Sequence, residues 1–129
     1  MPSLRTSLLV ALLALAALLT TAPAPAQTVR MLVQSSPLAG FQYYAGKVRW
    51  DEMQVGDALV LVREPDNPHD PRAIRVDWRG EKLGYLPRAE NRAVAEELDR
   101  GGRVEARIAA LRQHRNPWQR VLIEVFVVL

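Results

Sequence analysis

The chain is 129 residues long, 49% hydrophobic and 24% charged, with a formal net charge of +3 and no cysteine. That length holds one domain, and the missing thiols exclude cysteine nucleophiles, thiolate metal sites, disulfides and a lipoprotein anchor. After residue 26 the chain carries 16 basic and 14 acidic side chains, a net of +2, too small for strong non-specific nucleic-acid binding, so any such site must be local. Fifteen of the 17 basic residues are arginine, whose forked guanidinium suits phosphate or carboxylate.

The first 26 residues read as a signal peptide. Arg5 is a short basic region, Leu8 to Leu19 is an unbroken apolar run, and Pro23 and Pro25 follow. Ala24 and Ala26 supply the small residues of a cleavage site, placing the cut after Ala26 and leaving Gln27 first. A twelve-residue apolar core falls short of the roughly 20 residues of a membrane span. The longer uncharged stretch from Thr6 to Val29 keeps an uncleaved anchor as the alternative. The expected location is therefore exported, periplasmic or secreted, with residues 27–129 as one domain.

In that domain, short apolar segments alternate with turn signals. Val29 to Gln34 reads as a first strand and Phe41 to Val48, opened by Gly40, as a second. Phe41, Tyr43 and Tyr44 crowd this segment, with either Tyr43 exposed and Phe41 in the core or the reverse. A short helix around Arg49 to Met53 would dock Trp50 and Met53 together. Ala58 to Glu64 is a strand, and Pro65 to Arg72 a proline-rich loop that cannot continue a ladder. Ala73 to Trp78 alternates Ile74 and Val76 with Arg75 and Asp77. The Arg79-Gly80 turn leads to a strand at Glu81 to Tyr85.

A helix is predicted over Ala89 to Arg100, with Val94, Ala95 and Leu98 as its apolar stripe and Gly101-Gly102 as its stop. Val104, Ala106 and Ile108 alternate in a further strand, Gln113 to Gln119 is a polar loop, and the apolar run Val121 to Val128 is a last, central strand. The predicted fold is mainly β: a small six- to seven-stranded barrel of the OB or SH3 type with one or two short helices.

No catalytic constellation is present. His69 and His114 lie on separate loops, and no nucleophile elbow, P-loop or His-Glu-x-x-His helix occurs. The chain is read as a non-enzyme without cofactor. Asp66, Asn67, His69 and Asp70 form a cluster that departs from EF-hand spacing; Asp66 and Asp70 are its weak metal candidates, against the reading of a proline-braced turn. The loop from Arg63 to Pro71 combines acceptors, a ring and a guanidinium, a set that suits a nucleotide terminus and equally a structural turn.

Four blocks resemble, in order and spacing, the signatures of the HIRAN domain family: Gly40-Phe41-Gln42-Tyr43-Tyr44-Ala45-Gly46, Arg63 to Asp70, Ala73-Ile74-Arg75-Val76, and Lys82 to Arg88. Pro117-Trp118 resembles the family's C-terminal block. The resemblance implies a small β-barrel related to oligonucleotide-binding barrels, with about six strands and two helices. In DNA-remodelling helicases that carry it, the domain grips the 3′-hydroxyl end of single-stranded DNA. Carried over, Tyr43 stands at a base-contacting tyrosine, Asn67 at an asparagine of the binding loop, and Asp70 at the aspartate that bonds the terminal hydroxyl. His69 stands at a stacking tyrosine, Arg88 at a phosphate-contacting lysine, and Tyr85 at a neighbouring histidine.

Three departures weaken that implied binding: a smaller ring at His69, an added negative charge at Asp66 in place of asparagine, and Gln42 in place of arginine. The resemblance thus implies a nucleic-acid-binding module for a single-stranded DNA 3′ end, and the chain is read as a monomer. The alternatives are an exported module with a protein or envelope ligand and no DNA binding, and a metal-dependent hydrolase on the Asp66–Asp70 loop.

Overall fold

The computed structural model describes residues 22–24 and 27–129; the expected signal peptide falls almost wholly outside them. Six strands form one antiparallel sheet: β1 (Arg30–Pro37), β2 (Ala58–Glu64), β3 (Ala73–Trp78), β4 (Glu81–Tyr85), β5 (Val104–Leu111) and β6 (Val121–Val128). Their order is β1-β6-β5-β2-β3-β4. The chain leaving β1 then reaches the far edge, where Ala39 and Tyr85 exchange two backbone hydrogen bonds of 2.9 Å. This bridge curls the sheet back on itself, giving the expected barrel-like architecture. The backbones come so close that a Cβ at Gly84 would run into the Ala39 carbonyl, so this position requires glycine.

The core lies inside this curl. Ile74, Val76, Leu83, Ile108, Ile123 and Val125 are fully buried, contributed by four strands that alternate inward apolar with outward polar positions. β6 pairs on both sides, as its composition predicts. It is not buried on both faces, however: Leu122 is exposed and Phe126 half-buried, the latter beneath the Arg107 guanidinium at 4.8 Å.

The predicted second strand is absent. Phe41–Tyr43 is a single 3₁₀ turn, followed by helix α1 (Gly46–Arg49), which runs into a second 3₁₀ turn at Trp50–Glu52. The expected opposition of Phe41 and Tyr43 is incompatible with the expected strand, in which residues 41 and 43 share a face. At 3₁₀ spacing they diverge, which puts Phe41 at 2% exposure and Tyr43 at 74%. Gly40 enters the turn with φ 79°, and Gly46 leaves room for the Phe41 ring, which a Cβ there would strike. The expected helix at Arg49 to Met53 is present only as the 3₁₀ turn Trp50–Glu52; the α-helical turn lies before it, at Gly46–Arg49.

Helix α2 (Arg92–Asp99) begins three residues later than its composition suggests, after a 3₁₀ turn at Arg88–Glu90. Asn91 stands at the N-cap position but makes no side-chain capping bond, and its amide nitrogen donates to Asp70. The end is as expected. Gly101, at φ 82°, donates to Leu98 O and Gly102 donates to Glu97 O, the paired bonds of a Schellman stop.

Candidate nucleic-acid interface

Four segments meet beside the bridge that closes the barrel: the 3₁₀ turn at Phe41–Tyr43, the β2–β3 loop, the end of β4 and the turn that opens at Arg88. Between them lies a cleft of about 330 Å³. Tyr43, Asn67, His69, Asp70, Tyr85 and Arg88 all line it. The six residues carried over from the resemblance, spread over 46 positions from residue 43 to residue 88 of the sequence, are therefore neighbours on one surface.

The loop that supplies three of them is built by its own side chains. Asn67 Oδ1 accepts from His69 N at 2.9 Å and from Asp70 N at 3.3 Å, an Asx turn. Its Nδ2 donates to Glu64 Oε1 at 3.0 Å. Most of the Asn67 amide is thus engaged in shaping the loop, which leaves one amide hydrogen for the cleft. The three prolines, Pro65, Pro68 and Pro71, flank this turn and restrict the backbone between its bonds. His69 is held by its backbone while its ring stands exposed at the rim.

Asp70 is 8% exposed. Its Oδ1 accepts from Arg72 N at 2.9 Å and its Oδ2 from Asn91 Nδ2 at 2.8 Å. Burial pushes its carboxyl up, but those two bonds and the Arg88 and Arg72 charges outweigh burial and hold it below the ordinary aspartate value. The result is a fixed anion in the cleft wall with one acceptor position left on each oxygen.

Glu64, which belongs to the loop set but not to the six carried-over residues, ties the loop to Tyr85 from behind the cleft lining. Its Oε1 accepts from the Tyr85 hydroxyl at 2.8 Å as well as from Asn67, and its Oε2 accepts from Arg75 Nη1 at 3.2 Å. Burial raises its carboxyl, and the three hydrogen bonds with the nearby Lys82 charge bring it down below the usual range. Lys82 Nζ sits 4.1 Å from the Tyr44 ring centre and 4.5 Å from that of Tyr85, a doubled cation–π contact. The Tyr43, Tyr44 and Tyr85 rings follow one another edge to face at 6.4 and 6.2 Å. Burial, and the hydrogen bond to the Glu64 carboxylate, raise the Tyr85 phenol above its ordinary value against the Lys82 charge. Glu64, Tyr44 and Lys82 all lie inside the signature blocks. Only the strand register that sets Tyr85 beside Arg75 and Arg75 beside Val62 brings them together.

Other expectations are redirected. Arg63, the flanking guanidinium of the loop, is committed to the fold: it donates to Asp99 at 2.9 Å and to the carbonyls of Ala73 and Pro71 at 3.1 and 3.0 Å. Gln42 is exposed on the turn and outside the cleft lining. Asp66 is exposed and outside the cleft lining. Among the described residues no three His, Asp or Glu side chains gather to hold a metal ion.

Chemically, the cleft offers aromatic faces for stacking, a buried carboxylate as acceptor, and an exposed guanidinium at Arg88. These groups are complementary to an aromatic base, a hydroxyl donor and a phosphate respectively.

The chain matches the HIRAN domain family over residues 31–129. It is 43% identical over 53 residues to the Fanconi-associated nuclease 1 homolog of Oryza sativa subsp. japonica, and 38% identical over 63 residues to the Helicase-like transcription factor of Oryctolagus cuniculus. Those alignments cover 38% and 48% of this chain and 6% of each relative, so the chain spans a small fraction of their length. Among solved structures it resembles a protein from Lactobacillus plantarum, with a TM-score of 0.69 at 25% identity over 79% of this chain and 98% of that one. It also shares its fold with the HIRAN domain of human HLTF, with a TM-score of 0.55 at 21% identity over 77% of each chain.

Proposed function

The chain belongs to the HIRAN domain family, and from that premise we propose that it is a non-catalytic module that binds the 3′-hydroxyl end of single-stranded DNA in the Tyr43–Arg88 cleft. The observation that carries this reading is the convergence of Tyr43, Asn67, His69, Asp70, Tyr85 and Arg88 on one cleft. Asp70 would accept the proton of the terminal hydroxyl on a free lone pair. His69 and Tyr43 would stack on bases, each contributing about 1–3 kcal/mol. Arg88 would meet the adjacent phosphate. The carboxylates act here as acceptors; the reading requires no nucleophile and no metal.

The proposal includes export. With its leader removed after Ala26, the domain would act in the periplasm or outside the cell, on imported or released DNA, as a monomer. Among the described residues no helix is long and apolar enough to cross a membrane. A second reading, an exported module for a protein ligand, draws on one observation: Met31, Leu32 and Val33 are exposed on β1, an edge strand of the sheet. Exposed apolar edges invite strand pairing.

Fluorescence anisotropy with short single-stranded DNA separates the two. One probe carries a free 3′-hydroxyl and the other a 3′-phosphate, each at low and physiological salt. Preference for the free hydroxyl supports end binding. Equal or absent binding removes it and directs the search to envelope proteins.

A further inference from the structure

The β5–β6 hairpin is the most one-sidedly charged part of the fold. From Ala106 to Ile123 the sequence holds four arginines and no acid. Arg107 is paired with Glu124. Arg112, Arg115 and Arg120 lie in and at the base of the loop joining β5 to β6, and among the described residues none of them forms an ion pair with a carboxylate. The tip is rigid. Arg112 N donates to Arg120 O at 2.8 Å, and Arg120 Nε donates to His114 O at 2.7 Å. Asn116 Oδ1 accepts from Trp118 N at 3.1 Å. Cations held on a braced loop lose less freedom on binding than cations on a mobile one.

A second cleft, of about 450 Å³, opens between this tip and helix α1. Half-buried Trp50 forms its apolar floor; the buried Phe41 ring packs edge to face against it at 5.7 Å and lies beneath the Arg120 guanidinium, 5.4 Å from the ring centre. Lys47, Gln113, His114 and Arg120 supply donors around it, and Asp51 is the single acid of the lining. His114 Nδ1 accepts from Asn116 N at 2.9 Å, so in the neutral ring Nε2 carries the hydrogen and can donate. An apolar floor under a rim of cations and amide donors fits a base with its phosphodiester.

The two clefts share a wall. The turn at Phe41–Tyr43 lines the first with Tyr43 and the second with Phe41, and it packs against the hairpin turn at Pro117–Gln119. We propose that the strand whose 3′ end occupies the first cleft continues over this turn into the second, where Lys47 and the hairpin arginines hold the phosphates on its 5′ side. This inference rests on the end-binding reading and extends it from a terminus to a tract of several nucleotides. A net charge of only +2 after residue 26 does not oppose it, because the positive charge is concentrated where the strand would run.

The test compares oligonucleotides of about three and about twelve nucleotides, a range that brackets the site sizes of oligonucleotide-binding barrels. Each length carries either a 3′-hydroxyl or a 3′-phosphate, and the proteins are the wild type, Lys47→Glu and Arg115→Glu. Both substituted side chains are exposed and lie outside the first cleft. The wild type should bind the longer strand roughly tenfold more tightly for each additional charge-assisted hydrogen bond to phosphate. Each variant should lose that advantage, and its salt slope should shrink by about 0.7 for each phosphate it no longer holds. The hydroxyl preference of the short strand should persist in both. Equal binding of the two lengths by the wild type, or a length advantage that survives both substitutions, would overturn the proposal while leaving end binding intact. A length advantage with no preference for the hydroxyl would remove end binding, and with it the continuity of the two clefts.

Discussion

Asp70 accepts a 2.8 Å hydrogen bond from Asn91 Nδ2, and Asn91, 1% exposed, has no partner for its Oδ1. The carboxylate expected to meet a terminal hydroxyl thus also tethers the binding loop to the start of α2. Asp70→Ala would strand the Asn91 donor and free the Arg72 amide. An unsatisfied buried group costs about 1–3 kcal/mol, and loss of stability in that range is expected by urea denaturation. Lost DNA binding in this variant therefore cannot be assigned to the hydroxyl contact from affinity alone. The informative quantity is the ratio of hydroxyl-ended to phosphate-ended binding, which does not depend on how much protein is folded.

The depressed carboxyls of Asp70 and Glu64 fix the sign of the acid response. A carboxyl whose pKa is lower folded than unfolded contributes stability above its unfolded value, and that contribution disappears as pH falls through the folded one. Both groups are lowered, so stability should be flat above the ordinary carboxylate range, about pH 4, and should decline below it. In Glu64→Gln the decline should be shallower, because one of the linked protons is gone while those of Asp70, Asp57 and Glu105 remain. Urea midpoints measured across that window check this. An unchanged pH slope would mean that Glu64 is no better placed folded than unfolded.

How much of this was legible in the residues depends on the range of each interaction. The strands β2 to β5 follow from period-two alternation and turn residues, and β6 from an unbroken apolar run, all local signals. The segment Phe41 to Val48 misleads because its aromatics favour strands, whereas its conformation is set by tertiary packing: the Phe41 ring entering the core beside Gly46, and Ala45 N donating to Lys82 O at 3.2 Å. The six cleft residues could be named through the resemblance, and no periodicity in the chain links them. The tie from Glu64 to Tyr85 stayed hidden because the two lie 21 residues apart, brought close by register through β3.

Lys82 links the aromatic row to the acid network, which makes its effect measurable in the absence of DNA. Its charge holds the Tyr85 phenol down against burial and Glu64. In Lys82→Met that restraint is lost and the phenol should titrate higher still. The chain has three tyrosines, so ultraviolet titration can follow the shift of one against the others. The same variant forfeits a cation–π interaction of about 0.5–1 kcal/mol or more. A titration curve identical to that of the wild type would show that Lys82 does not rest on the rings in solution.

Closure of the barrel depends on one glycine, which places the cleft and the fold under a common constraint. Ala39 and Tyr85 exchange backbone hydrogen bonds only because Gly84 presents no side chain to the Ala39 carbonyl. Gly84→Ala forces that carbonyl away, and overpacking of this kind costs about 1–3 kcal/mol. Tyr85 and the turn at Phe41–Tyr43 flank the bridge, so the variant should also loosen the first cleft. By contrast, Gly80→Ala meets no neighbouring atom within 4 Å, although its φ of 80° disfavours a side chain; its cost should be that of backbone strain alone, of order 1 kcal/mol. Hydrogen exchange distinguishes the two variants. The amides of Ala39 and Tyr85 should lose protection well beyond the global change in Gly84→Ala and track the global change in Gly80→Ala. Equal behaviour in both would mean that the bridge does not hold the barrel shut.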